Sequence, residues 1–371
     1  MRIGIPKEIK DHEFRVGVTP AGVSRLRAEG HEIRVESGAG AKIGFSDDRY
    51  REAGATLCQT PEDVYEAGLI IKVKEPQPGE YPLLREGQTL FCYLHLAASA
   101  DLTRALLERK IIGVAYETVT DAQGGTPLLH PMSEIAGRLS VQAGATTLEM
   151  AHGGHGTLLG GVPGVPPGRV AILGGGTVGA NAAKIAIGLG ADVTLLDVSA
   201  TRLRYLDDIF GPRLKTSYSD PETIALAAQD ADLLVGAVLI PGARAPKLLT
   251  RGIVQTMKHG SVLVDVSIDQ GGLSETSRPT THSQPTYVEE GVVHYCVTNM
   301  PAACARTSTL ALTHVTLPYA LRLAGQGAER ALRADPWLRK GLNMYRGTLT
   351  AASVGADLGF DFRPPEEVLG P

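Results

Sequence analysis

Short, continuous apolar runs alternate along the chain with stretches whose apolar residues recur at helical spacing. The first series of runs is Ile3–Pro6, Ile33–Glu36, Leu69–Val73, Thr89–Tyr93 and Ile112–Tyr116. The second is Val170–Leu173, Val193–Leu196, Leu233–Val238, Val262–Val266 and Val292–Val297. Helical patterns fall between them, at Pro20–Glu29 and Ala100–Lys110 in the first series and at Val178–Gly188 and Thr201–Ile209 in the second. A strand that is apolar on both faces belongs in a parallel sheet covered by helices on each side. The pattern also predicts a long connecting helix over Ser133–His152, and further helix over Leu310–Leu323 and Pro336–Asn343 that returns to the first lobe. The expectation is therefore an α/β chain of two doubly wound Rossmann-type domains with parallel sheets. One comprises residues 1–130 plus 306–371 and the other residues 131–305, joined by the long helix.

Composition narrows the classes of function. A chain of 371 residues with 43% hydrophobic residues and a net charge of −4 is long enough for about two packed domains. It lacks the basic balance of a nucleic-acid binder. No apolar run approaches the roughly 18 residues of a membrane span, and Met1–Glu8 carries no signal-peptide pattern, so a cytoplasmic protein is expected. Cys58, Cys92, Cys296 and Cys304 lie far apart, which suits a reducing compartment. No His/Cys cluster has metal-ligand spacing, so no metal is expected.

Glycine is uneven: 13 of the 44 lie in residues 153–190. Within that stretch the run Val170–Leu173 leads into Gly174-Gly175-Gly176-Thr177-Val178-Gly179 and then into a helical pattern. This is G-x-G-x-x-G in a strand–turn–helix setting. Gly174 permits the tight turn, Gly176 lets a pyrophosphate approach the backbone, and Gly179 allows close helix–strand packing. The helix start then offers free N–H groups to the anion. Asp197 ends the next strand, where a carboxylate accepts from ribose hydroxyls and repels a 2′-phosphate, so the cofactor expected is NAD. Arg202, one turn on, either approaches the ribose or lies on a solvated helix face.

Ligands of open α/β sheets bind beyond the carboxyl ends of the strands. Those positions carry Lys72 and Lys74, His95, Glu117, and Asp265 and Asp269, with Arg15 in the loop after the first strand. The set suits hydride transfer on a small carboxylate substrate. Arg15 and Lys74 are placed to bind the carboxylate and its neighbouring oxygen, His95 to exchange a proton at the reacting carbon, and Asp269 to orient or deprotonate water or an amine. Plainer roles stand beside these. His95 would be a structural histidine, Lys74 a solvated strand end, Arg15 a surface partner of Glu13, and Asp269 a turn cap.

Blocks in order along the chain resemble the alanine dehydrogenase family. They include Ile3–Lys10, Arg15–Pro20, Lys72–Pro76, Tyr93–Ala97, Pro131–Arg138, Leu159–Val165, the phosphate loop, Gly236–Gly242, Asp265–Gly272 and His294–Pro301. The resemblance implies reversible NAD-dependent conversion of L-alanine to pyruvate and ammonium by a homohexamer. It implies Arg15 and Lys74 as substrate-binding residues and His95 and Asp269 as catalytic residues. For NAD it implies Val238, Leu239, Ile268, Asp269 and Met300 on the nicotinamide side. On the adenine and phosphate side it implies Ser133, Gly174, Gly176, Thr177, Val178, Gly179, Asp197, Arg202 and Ser219, with Arg278 as a further contact. The chain departs from the family pattern at Ala302–Ala305, at Asp11–Phe14, and at His152 and His155. These departures touch loops rather than the proposed catalytic residues. The alternatives are the NAD-binding subunit of a transhydrogenase, a saccharopine dehydrogenase and a non-catalytic NAD sensor.

Overall fold

A computed structural model of the chain describes residues 1–238 and 245–370. In chain order its strands are β1 (Arg2–Ile5), β2 (Glu32–Glu36), β3 (Thr56–Cys58), β4 (Leu69–Ile71), β5 (Thr89–Cys92), β6 (Ile112–Ala115), β7 (Arg169–Leu173), β8 (Asp192–Asp197), β9 (Lys215–Tyr218), β10 (Leu233–Gly236), β11 (Val262–Asp265), β12 (Thr286–Glu289), β13 (Val292–Tyr295), β14 (Leu342–Tyr345) and β15 (Thr348–Leu349). The chain forms two compact units, Met1–Pro131 with Cys304–Pro371, and Met132–Ala303.

The first unit holds a sheet of order β15-β14-β6-β5-β4-β1-β2-β3, and the second a sheet of order β12-β13-β11-β10-β7-β8-β9. The central strands are parallel, as their two-sided apolar character predicts. β5, β6, β10, β11 and β13 are buried at every position. The edges correct the expectation of purely parallel sheets: β12 runs antiparallel to β13, and β14 antiparallel to β6 and β15.

Local chemistry sets the helices. Thr19 caps Pro20–Ala28 by accepting from the Gly22 N–H, with Pro20 in the first turn. Asp220 forms a capping box at Pro221–Asp230. The predicted connecting helix is His130–Thr147, followed by a short 3₁₀ turn at Met150–His152. The helix read over Leu310–Leu323 runs Ala305–Gln326. The helix read over Pro336–Asn343 is corrected: it stops at Arg339, and β14 follows. Gly341 breaks it by turning its carbonyl to the Ala115 N–H at 2.7 Å, so the chain enters the sheet beside β6. Among the described residues no helix is long and apolar enough to cross a membrane.

Candidate functional site

Candidate residues of the second unit lie along one edge of its sheet. Met300 follows β13, Ile268 and Asp269 follow β11, and Val238 follows β10; Gly174–Gly179 follows β7, Asp197 and Arg202 follow β8, and Ser219 follows β9. Neighbouring strands are about 4.8 Å apart, so the row spans on the order of 24 Å. The chain leaves β7 towards β8 and β9 and returns on its other side to β10, which makes the end of β7 the topological switch point. Leu239 lies outside the described residues.

The glycine loop fits a dinucleotide. Gly174 has φ +101°, and a Cβ there would stand 2.8 Å from the Ala237 carbonyl oxygen. A Cβ at Gly179 would overlap the Gly174 carbonyl. A Cβ at Gly176 would meet no protein atom within 4 Å. Packing therefore demands glycine at 174 and 179, whereas bare backbone at 176 leaves open space for a pyrophosphate at the start of the helix Thr177–Gly188. Val178 is buried under that turn and Thr177 is half-buried. Asp197 pins the loop: Oδ2 accepts from the Gly175 N–H at 2.6 Å and Oδ1 from the Ser199 N–H at 2.8 Å. The cap of the next helix is Ser199, not Asp197. A carboxylate has about four acceptor positions, so two such bonds leave capacity for ribose hydroxyls. Arg202 donates Nε–H to the Gly175 carbonyl at 2.5 Å, bracing the same loop.

The remaining positions differ in how they are held. Ser133 stands one turn before Gly137, where a Cβ would overlap the Val178 carbonyl. Ser219 donates its N–H to the Asp197 carbonyl at 3.1 Å. Ser267 Oγ donates to the Val238 carbonyl at 2.7 Å, tying the ends of β10 and β11 together. Asp269 is exposed on the 3₁₀ turn Val266–Gln270, beside buried Ile268. Asp265 is buried and structural: it accepts from the N–H groups of Ser267 and Leu273, and burial raises its pKa. Arg278 is exposed, with its guanidinium 3.8 Å from the Tyr287 ring centroid; that ring stacks on buried His294. Two cavities of about 400 and 470 Å³ lie elsewhere in this unit. The first is lined by Arg169, Asp192 and Lys215 at the strands' opposite ends, away from the glycine loop.

In the first unit the spatial order β6-β5-β4-β1 brings Glu117, His95, Lys74 and the loop bearing Arg15 to consecutive strand ends. Arg15 is buried and paired with Glu13, Nε to Oε1 at 2.7 Å and Nη2 to Oε2 at 2.5 Å. Burial works against its charge, but the Glu13 carboxylate outweighs this and raises its pKa. Lys74 is buried with its ammonium 3.7 Å from Glu75, whose carboxylate also pairs with Lys10. Burial would raise the Glu75 pKa, yet Lys74 and Lys10 hold it below the ordinary range. Lys72 does not join Lys74. Its side chain has no solvent exposure and is clamped between Glu8 at 3.2 Å and Glu80 at 2.7 Å, with the Tyr65 hydroxyl also on Glu80. Glu8 further accepts from the N–H groups of Val73 and Lys74 at 2.6 and 3.3 Å, fixing the end of β4.

His95 is one of the described non-glycine residues with positive φ, at +45°, a conformation that costs on the order of 1–3 kcal/mol and persists where its surroundings impose it. Its N–H donates to Glu117 Oε1 at 2.6 Å, and its ring stacks on Tyr93 with centroids 5.7 Å apart. Desolvation by the surrounding protein, and then the charge of Lys74, push the imidazole pKa well below its ordinary value; Glu75 opposes, and Lys10 and Arg15 add to the shift. The imidazole is therefore neutral at pH 7. Sequence reasoning missed Glu8, Glu80 and Tyr93, which hold the named residues in place, and named Glu13 only as a surface partner of Arg15. Among the described residues no cluster of His, Cys, Asp and Glu is arranged to hold a metal ion.

Residues 4–136 match the family model "Alanine dehydrogenase/PNT, N-terminal domain", and residues 140–352 the corresponding C-terminal domain. The chain is 55% identical over 370 residues to the alanine dehydrogenase of Bacillus subtilis (strain 168), covering 100% of this chain and 98% of that one. It is 52% identical to alanine dehydrogenase 2 of Staphylococcus aureus (strain N315), with both covered in full. A solved L-alanine dehydrogenase superposes with a TM-score of 0.94 at 51% identity, over 97% of this chain and 99% of the other. A transhydrogenase from Sinorhizobium meliloti shares the fold, with a TM-score of 0.81 at 22% identity over 95% of this chain and 100% of the other.

Proposed function

The chain belongs to the alanine dehydrogenase/PNT family, and from that premise we propose that it catalyses the reversible NAD-dependent deamination of L-alanine to pyruvate and ammonium. One observation carries the reading: identity of 55% across the whole length to an alanine dehydrogenase, in a chain whose strand ends keep Arg15, Lys74 and His95 in a row. NAD supplies the acceptor for the hydride leaving the substrate α-carbon. The glycine loop, Asp197, Arg202, Ser219 and Ser133 hold its adenine and phosphate side, and Val238, Leu239, Ile268, Asp269 and Met300 its nicotinamide side, with Arg278 as a further contact.

Arg15 and Lys74 bind the substrate carboxylate and adjacent oxygen. Glu13 and Glu75 leave these two cations oriented as they take up the anion. His95, neutral at pH 7, takes a proton when the carbinolamine formed from the imine and water collapses to the ketone, and returns it in the reverse direction. Asp269 handles the proton of water or amine around the imine. The homohexameric, cytoplasmic state implied by the resemblance is part of this reading, and sedimentation of the purified enzyme tests the assembly.

The primary test follows NADH absorbance with pyruvate plus ammonium, with pyruvate alone and with other 2-oxo acids. NADH consumption that requires both pyruvate and ammonium is expected; turnover independent of ammonium overturns the reading. Replacing Asp269 with Asn lowers kcat by about 10²-fold or more while NADH still binds; a near-wild-type rate removes Asp269 from the chemistry. Replacing Asp197 with Asn keeps an acceptor for the Gly175 N–H but removes the charge that ribose hydroxyls meet. A charge-assisted bond of about 1.5–3 kcal/mol predicts a rise in KM for NAD on the order of 10- to 100-fold, with weaker discrimination against NADP. Unchanged discrimination refutes the role.

A further inference from the structure

We propose that Glu117 is the positioning residue for His95, its carboxylate holding the main chain at the end of β5 in the left-handed turn that presents the imidazole. The inference rests on the reading of His95 as the proton-transfer group and concerns what keeps that group in place. Glu117 follows β6, the strand beside β5. Its Oε1 accepts from the His95 N–H at 2.6 Å and the Leu94 N–H at 3.1 Å, and its Oε2 lies 3.2 Å from the Leu94 nitrogen. Two consecutive amides thus converge on one carboxylate, as amides do on a bound anion. Bonds to a charged acceptor are shorter and stronger than neutral ones.

The backbone needs such a tether. At His95 φ is +45° and ψ 42°, in the left-handed region that few non-glycine residues occupy, so the turn is more costly than an extended one. Glycine would remove the strain and the chemistry together. The tyrosine at 93 restrains the ring by stacking, with an interplanar angle of 16°, but stacking alone leaves the main chain free to relax. Glu117 carries no other task in the proposed chemistry. It is half-buried, and its hydrogen bonds go to the turn itself. Burial raises its pKa, while the His95 and Leu94 amides favour the charged form.

The experiment compares Glu117→Ala, Glu117→Gln and Glu117→Asp in the full-length enzyme. It measures kcat, KM for alanine, NADH affinity by fluorescence, and the His95 resonance in enzyme labelled at the histidine ring carbons. Glu117→Ala is expected to lower kcat by about 10²-fold, the effect of displacing a catalytic group by an ångström. NADH affinity should stay within twofold, and the His95 signal should move as the ring leaves Tyr93. Glu117→Gln, keeping one acceptor oxygen, should recover most of the His95 signal and lose roughly tenfold in kcat. Folded variants within threefold of wild-type kcat overturn the proposal, and so does a rate loss with an unmoved His95 resonance. If Glu117→Ala does not fold, the Gln and Asp variants decide. Turnover that survives His95→Asn defeats the reading of His95 itself. Turnover abolished by His95→Asn but untouched at Glu117 defeats only the positioning role.

Discussion

Replacing His95 with asparagine lowers kcat for alanine deamination by about 10²- to 10⁴-fold, the usual contribution of a positioned general acid–base, while NADH affinity stays near wild type. Asparagine is the informative choice because it tolerates the left-handed backbone that His95 occupies at φ +45°, so the turn survives and only proton transfer is lost. The pH dependence follows from the surrounding charge. Desolvation and Lys74 lower the imidazole pKa from its ordinary 6.5. A base that must be neutral is therefore still competent below pH 6.5, and the acidic limb of kcat/KM due to His95 lies well below that value. Lys74→Gln removes the largest charge acting on the ring and moves the limb upward. Steady-state pH profiles of the wild-type and Lys74→Gln enzymes check this. A wild-type limb at or above 6.5 contradicts it.

Replacing Lys72 with methionine destabilises the first unit by about 3–5 kcal/mol, the cost of removing one partner from a buried ion cluster. Glu8 and Glu80 both contact the Lys72 ammonium, and none of the three side chains is more than 5% exposed. Without the cation two carboxylates face each other in the interior. Burial already raises the Glu8 pKa against the lowering effect of Lys72. In the variant the folded state takes up more protons than the unfolded chain above the ordinary carboxylate pKa, so its stability falls as pH rises. The variant is thus expected to be less impaired near pH 5 than near pH 8, as measured by denaturant unfolding at both. A loss below 1 kcal/mol at pH 8 shows that the triad is not the clamp described.

The same residues show what the sequence made legible. The central strands are apolar on both faces and could be read directly. The glycine loop was equally readable, because Gly174 and Gly179 are forced by local sterics that leave a spacing in the sequence. The polar strand ends were readable as positions, but not as roles. Lys72 and Lys74 look alike two residues apart just beyond β4, and strand alternation would put them on one face, yet Lys72 turns into the interior against Glu8 and Glu80 while Lys74 sits beside Glu75. Arg15 was read with a surface pairing to Glu13 as its plain alternative. The pairing exists, but it is buried and bidentate. The edge strands β3, β9 and β12 were missed because edges need no two-sided apolar pattern; β9 has no buried residue at all. The return of β14 beside β6 depends on partners more than two hundred residues away in sequence, which no local pattern encodes.

That return has a consequence for synthesis on the ribosome. Unit one begins with Met1–Pro131 but recovers its missing part only with Cys304–Pro371. At about 5–20 residues per second, roughly ten seconds to most of a minute separate the emergence of β6 from that of β14. Throughout that interval β6 presents an unpaired edge of Ile112, Gly113, Val114 and Ala115, an invitation to pair with another nascent chain. The contiguous second unit, Met132–Ala303, emerges whole in the meantime and completes its own sheet first. The order of assembly is inside before outside, and the vulnerable intermediate is a half-built first unit tethered to a finished insertion. Chaperone demand and truncation-induced aggregation of this protein should therefore centre on β6 and rise sharply in chains that stop short of Leu342.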